Sequence, residues 1–260
     1  MKSVQKTLYI PLFGKALVSR KGIILKDSFA EEIWKSAGFP LGRKSMSKWL
    51  AYYMGMRAAV FDQWTESKAG ECDVALHLGC GLDSRAFRVN TQKVQWFDVD
   101  FPRVIEERKK FFEQTSSYHM IAADIRNTDF ISSLPGGAKA AVIMEGISMY
   151  MKPEHICSLL QKLSVHFSSV FVLMDCYSVF AAKVSKYKNP VTEAGVYRTY
   201  GIDDPRALAS EAQYSFVALH SMTPSTLIDE LKGMEKLIFT HLYAGRAAQK
   251  LYRLFEFKKL

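Results

Sequence analysis

Between residue 74 and residue 174, short apolar runs alternate with longer stretches of helical character, and that alternation limits the fold more than any other feature of the chain. Residues 74–78, 94–97, 119–123, 140–144 and 170–174 have strand length and are nearly continuous in apolar side chains. Helical stretches lie between them, notably 102–114 and 153–167. Both begin on a proline, whose missing N–H is no loss at the first position of a helix. Strands that are apolar on both faces belong in a parallel sheet covered by helices on each side. Right-handed crossovers wind such a chain into a doubly wound, Rossmann-like α/β sheet.

The flanks read differently. The first 70 residues predict helices that form a cap. Ser28, with Glu31 three residues on, predicts a capping box, and Gly38 and Pro40 close that segment. A second helix is predicted over 47–64 from its apolar spacing. After Met174 the alternation stops over residues 175–222, a stretch rich in aromatics: Tyr177, Phe180, Tyr187, Tyr197, Tyr200, Tyr214 and Phe216. Long structureless loops are rare, so this stretch is expected to be a substrate-side lid or helical insertion. A last unit is expected from a helix after Pro224 and a strand around 237–242. The closing segment 246–260 fits a helix, with Ala247, Leu251, Leu254 and Phe255 on one face, or a final strand, and the helix is preferred. The chain is thus expected to be one domain, with 1–70 as cap, 71–174 as core, 175–222 as insertion and 223–260 as the end of the core.

Bulk properties exclude several classes. Cys72, Cys80, Cys157 and Cys176 form no CxxC pair, so neither a zinc site nor a disulfide framework is expected, and a reducing cytoplasm suits them. No apolar run nears the ~20 residues of a membrane span. Lys2 and Lys6 precede an apolar stretch, but Pro11, Gly14 and Lys15 interrupt it before any signal-peptide pattern is complete. A net charge of +9 favours acidic partners. Apart from Arg108-Lys109-Lys110 and the tail bearing Lys250, Arg253, Lys258 and Lys259, the basic residues are scattered, which argues against nucleic acid.

The chemistry concentrates at strand ends. Residues 74–84 read VALHLGCGLDS, a buried strand entering Gly79-Cys80-Gly81 and then a helix. Glycines let a ligand approach the backbone, and a helix start presents unpaired N–H groups. Ser84 stands where a dinucleotide fingerprint has its third glycine, which disfavours NAD or FAD and suits a nucleoside without pyrophosphate. In WFDVDFP, Asp98 and Asp100 both lie about 20 residues past the glycines, where a carboxylate takes ribose hydroxyls. Asp124 and Ile125 end the third strand, where an acid and a neighbouring N–H can hold adenine. Glu145 ends the fourth strand, and a buried carboxylate there needs a cationic partner, which a sulfonium and its amino group would supply.

The glycine stretch, FDVDFP, AADIRN and MEGISMYMKPE together resemble the leucine carboxyl methyltransferase superfamily, and within it the bacterial tetracenomycin-type polyketide O-methyltransferases. The similarity extends over nearly the whole chain, including KDSFA at 26–30 and YMGMRAAVFD at 53–62. It implies S-adenosylmethionine (SAM) as cofactor and S-adenosylhomocysteine (SAH) as product. It implies that Arg57 grips the SAM carboxylate, with Lys15 near it. Gly79, Cys80 and Gly81 would form the cofactor loop, Asp100 would take the ribose, Asp124 and Ile125 the adenine, and Glu145 the end of the fourth strand. Ala58 departs from the threonine usual after the arginine.

The expected reaction is methyl transfer to a carboxylate or phenolic oxygen of a small, acidic or phenolic molecule. A carboxylate needs no base, whereas a phenol must lose its proton. Tyr150, His155 and Tyr200 are candidates for orienting the acceptor or helping that deprotonation. The alternatives are methylation of a macromolecule, such as a protein C-terminal carboxylate or tRNA, and a catalytically silent SAM-binding module.

Overall fold

The computed structural model describes residues 7–36, 38, 41–91, 93–185 and 198–260. Its centre is a seven-stranded sheet in the order β3-β2-β1-β4-β5-β7-β6. The strands are β1 Val74–Leu78, β2 Gln95–Asp100, β3 Tyr118–Ala122, β4 Lys139–Met144, β5 Ser169–Tyr177, β6 Ser215–His220 and β7 Tyr252–Lys259. β1 pairs in parallel with both β2 and β4, so the chain changes winding direction at β1. Open α/β sheets bind ligands at the carboxyl edge of such a switch point. Only β7 runs against the others, inserted between β5 and β6.

Every residue of β1 is buried because both faces of the sheet are covered. On one face Ala75, Trp96, Ile143 and Leu173 pack beneath the helices Tyr9–Arg20, Ser28–Ser36 and Lys48–Ala69. On the other, Leu76, Val99, Val142 and Val172 meet the helices Pro153–His166 and Pro205–Glu211. The alternate residues of each strand therefore feed two separate cores, as the period of a strand requires.

Several expectations change. Asp27, not Ser28, caps its helix: the Ala30 N–H donates to Asp27 Oδ1 at 2.8 Å. Glu31 instead accepts a hydrogen bond from Ser19 Oγ at 2.5 Å, tying this helix to the one before it. Of the two residues expected to end that helix, Pro40 lies outside the described residues. The second helix runs on to Ala69, and the helix after β2 stops at Arg108 instead of reaching residue 114. Residues 237–242 form no strand; they belong to the helix Gly233–Leu242, which buries only Phe239 among its residues. Residues 246–260 are a short helix, Arg246–Leu251, followed by β7. The supposed insertion also contains a strand of the core, β6, while β5 extends into it as far as Tyr177. Tyr214 is consequently buried, with its hydroxyl donating to the Leu160 carbonyl at 3.0 Å, and Phe216 meets Phe255 and Phe257 edge-on. Tyr187 and Tyr197 lie outside the described residues.

Among the described residues, no helix is long and apolar enough to cross a membrane, and no group of three or more potential ligands is placed to hold a metal ion. All four cysteines are free and buried.

Candidate active site

A cavity of about 1060 Å³ opens along the carboxyl edge of the sheet, at the switch point. Its volume is at the upper end for a small-molecule site, so it has room for a nucleoside-sized ligand and a second molecule beside it. β1 delivers the glycine turn to its floor. Gly79 and Gly81 have φ of +68° and +55°, values that side chains disfavour. A Cβ at Gly79 would collide with the side chain of Ile147. The Gly79 N–H donates to the Val99 carbonyl at 2.7 Å, and the Gly81 N–H to Asp100 Oδ2 at 2.8 Å. Cys80 also lines the cavity, where burial pushes its thiol well above the ordinary range and keeps it protonated.

Asp100, at the end of β2, accepts from the backbone N–H groups of Gly81 and Phe101. Burial outweighs these bonds and lifts its carboxyl to about 6. Asp98 points elsewhere. It is fully buried, bound to Arg108, to the Tyr118 hydroxyl at 2.7 Å and to Trp96 Nε1 at 2.8 Å, and it does not line the cavity. Of the two competing acids only Asp100 is in a position to meet a ligand. Beyond it lie Asp124 and Ile125. Arg126 holds Asp124 through its Nε at 2.8 Å, lowering the carboxyl, and its guanidinium lies 5.7 Å from the Phe101 ring centre.

The opposite end is built from ions. Arg57, on the helix Lys48–Ala69, is buried and reaches Glu145 Oε1 from both Nε and Nη2 at 3.0 Å. Its Nη1 donates to the Tyr252 hydroxyl at 2.7 Å and lies 3.3 Å from Asp175 Oδ2. Glu145 Oε2 accepts from Arg85 Nη2 at 2.5 Å. Burial alone would raise Glu145, but Arg85 and Arg57 overcome it and bring it to about 2. The carboxylate is therefore satisfied by protein cations and does not depend on a cationic ligand. Lys15, buried on the first helix, holds Asp83 Oδ2 at 2.8 Å. Arg88 also binds Asp83, Asp62 and Asp27, so Arg88, Lys15 and Arg85 together keep Asp83 ionised despite its burial.

The sequence reading missed several of these groups. Arg85 and Arg88 look like ordinary surface arginines at a helix start, but Arg85 is fully buried and the Arg88 side chain is drawn into ion pairs with Asp62, Asp83 and Asp27. Asp175 and Tyr252 come from strands 77 residues apart and meet at 2.6 Å. Asp83 lies within the glycine stretch, and its local signal was an acid at a helix start. Of the three candidates for the acceptor, Tyr150 lines the cavity, and burial raises its phenol far above the ordinary value. His155 and Tyr200 do not line it. Tyr200 is held by its backbone N–H on the Met149 carbonyl at 2.8 Å.

Toward the cap the lining turns apolar, with Ile10, Leu50, Met54, Met149, Ala181 and Val184. Among the described residues of the expected insertion, Tyr177 is the aromatic that lines the cavity, whereas Phe180, two-thirds exposed, does not.

Comparison with known proteins identifies a family and a fold. The sequence pattern of the leucine carboxyl methyltransferase family matches residues 3–164. The chain is 30% identical over 243 residues to the tetracenomycin polyketide synthesis O-methyltransferase of Streptomyces glaucescens, covering 92% of this chain and 90% of that one. It is 24% identical to an S-adenosyl-L-methionine-dependent methyltransferase of Gibberella zeae, covering 94% and 85%. Among solved structures, a methyltransferase candidate from Thermobifida fusca superposes with a TM-score of 0.59 at 13% identity, covering 95% and 94% of the two chains. The magnesium protoporphyrin IX methyltransferase of Synechocystis PCC 6803 superposes at 0.51 with 10% identity, covering 90% and 95%. At these identities the structural matches speak for the fold.

Proposed function

The chain belongs to the leucine carboxyl methyltransferase family, and from that premise we propose that its cavity holds SAM and transfers the methyl group to an oxygen of a small, apolar acid. The observation that carries this reading is the pairing, in one cavity, of a nucleoside cradle at Gly79–Gly81 and Asp100 with a charged pocket at Lys15, Arg57 and Glu145. The groups suit the cofactor: a glycine turn that a Cβ would block, a carboxylate for the ribose, and buried cations for an amino-acid carboxylate.

SAM, when bound, supplies an already activated methyl group, so the protein need only bind, orient and exclude water. Asp100 would accept from the ribose, with Asp124 and Ile125 beside the base. Of its five N–H donors Arg57 directs two to Glu145, one to Tyr252 and one to Asp175, and the remaining one would take the carboxylate. Cys80 and Lys15 complete the walls. The apolar lining beside the cap would seat the acceptor and hold its oxygen in line, where orientation supplies most of the acceleration.

The residues on the acceptor side favour a carboxylate over a phenol. The described lining there offers Tyr150 and Tyr177, both phenols raised by burial, while the imidazole that lines the cavity, His77 of β1, is engaged with Asp98 at 3.3 Å and Arg85 at 3.4 Å. The cavity's carboxylates are engaged elsewhere, with Arg57 and Arg85, with Lys15, with Arg126, or with backbone N–H groups. An acceptor that arrives ionised needs no base. The test is incubation with methyl-labelled SAM and a panel of aromatic acids and phenols, followed by mild alkali. Label in an alkali-labile ester supports the carboxylate reading. Label in a stable ether moves it to phenols, and no transfer to any member of a broad panel counts against small-molecule methylation.

A further inference from the structure

Arg108 begins what looks in the sequence like a surface run of three cations. Lys109 and Lys110 are indeed exposed and pair with Glu106 and Glu107, but Arg108 is fully buried behind the glycine turn. A buried guanidinium must place its donors on partners. Its Nη2 binds Asp98, its Nε donates to the Tyr118 hydroxyl at 2.9 Å, and its Nη1 donates to the Gly81 carbonyl at 3.1 Å. The Phe112 ring centre lies 4.4 Å from the guanidinium carbon.

The last of these hydrogen bonds bears on the cavity. Gly81 and Leu82 line it; Arg108 does not. In a planar trans peptide the C=O and the following N–H point in opposite directions. With the Gly81 carbonyl drawn back to Arg108, the Leu82 N–H is turned toward the cavity, and no protein acceptor takes it among the described residues. The preceding N–H, that of Gly81, is fixed by Asp100. A loop with two glycines has many conformations to choose from, and these two bonds select one.

We propose that Arg108 is a positioning residue for the nucleoside half of the cofactor: it holds the Gly81–Leu82 peptide so that the Leu82 N–H donates to the ligand. The proposal rests on the SAM-binding reading above. It also gives Asp98 its task, which is to neutralise and orient Arg108 while Asp100 meets the ligand. Arginine suits the position because three partners in different directions need a planar fork, which an ammonium does not provide.

The experiment is calorimetric titration of the full chain with SAH and with adenosine, well below the melting point of each variant. Arg108→Lys keeps the charge for Asp98 and is expected to weaken both ligands by the same factor, about tenfold. Tyr118→Phe, the milder change, is expected to weaken both about threefold. Arg57→Ala is expected to weaken SAH and leave adenosine unchanged, which separates the two halves of the cavity. In the wild type the Leu82 amide resonance should shift on adding adenosine, and that shift should shrink in Arg108→Lys. Lowered melting points with wild-type affinity for adenosine in both variants would show a purely structural role and overturn the assignment. A folded wild type that binds neither compound would instead overturn the SAM-binding reading on which it stands.

Discussion

The two ends of the cavity hold charge in different ways. At the nucleoside end, Asp100 is stabilised by backbone N–H groups, forms no ion pair among the described residues, and is raised to about 6 by burial. At the opposite end, Glu145 lies between two arginines and is brought to about 2. The first arrangement is local, made by a turn and the strand beside it. The second gathers residues from five separated segments: Lys15, Arg57, Asp83 with Arg85, Glu145, and Asp175. A carboxylate held by peptide groups stays available to hydroxyl donors. One held between arginines instead fixes the cations in place, and through them the cap helices to the sheet.

The largest effect is expected from breaking the ionic end. Arg85→Met leaves Glu145 and Asp62 short of a buried partner, which should destabilise the fold by about 3–5 kcal/mol in urea unfolding. Arg57→Ala is expected to lower SAM affinity by about a hundredfold, because it removes a charge-assisted donor fork and also disturbs Glu145. Adenosine affinity, reporting only the other end, should stay unchanged. At the nucleoside end, Asp100→Asn should weaken SAM and adenosine alike by about tenfold. The smallest effect is that of pH. Hydroxyl donors prefer the ionised carboxylate of Asp100, so binding releases a proton near pH 6 and weakens as pH falls through that value. Adenosine affinity should drop about fourfold between about pH 7.5 and 5.5. Over the same range Glu145 stays ionised, so equal pH dependence at both ends would erase the contrast.

The two ends also differ in how far the sequence reveals them. The glycine turn and β1 are legible because the strand is buried on both faces and the glycines adjoin it in the chain. Asp100 needed the resemblance to separate it from Asp98, since both point from one strand and only a buried arginine six residues beyond Pro102 distinguishes them. Arg85 and Asp175 had no local signal: the partners that draw them into the site, Asp62 and Glu145 for the one and Arg57 for the other, are 23 to 118 residues away, and burial is a property of the fold. The C-terminal errors have a similar origin. β7 lies inside the sheet, so Leu254–Phe257 are all buried and no alternation remains to mark a strand. The helix Gly233–Leu242 exposes Met234, Leu237 and Leu242, so its apolar residues do not trace a single buried stripe and the run at 237–239 imitates a strand.

Calorimetric titration of the wild-type chain with SAM and SAH tests the central claim most directly. The account predicts one molecule bound per chain, with affinity lost in Arg57→Ala and reduced in Asp100→Asn. A folded protein that gives no binding heat with either compound, over temperatures at which a heat is measurable, would contradict it.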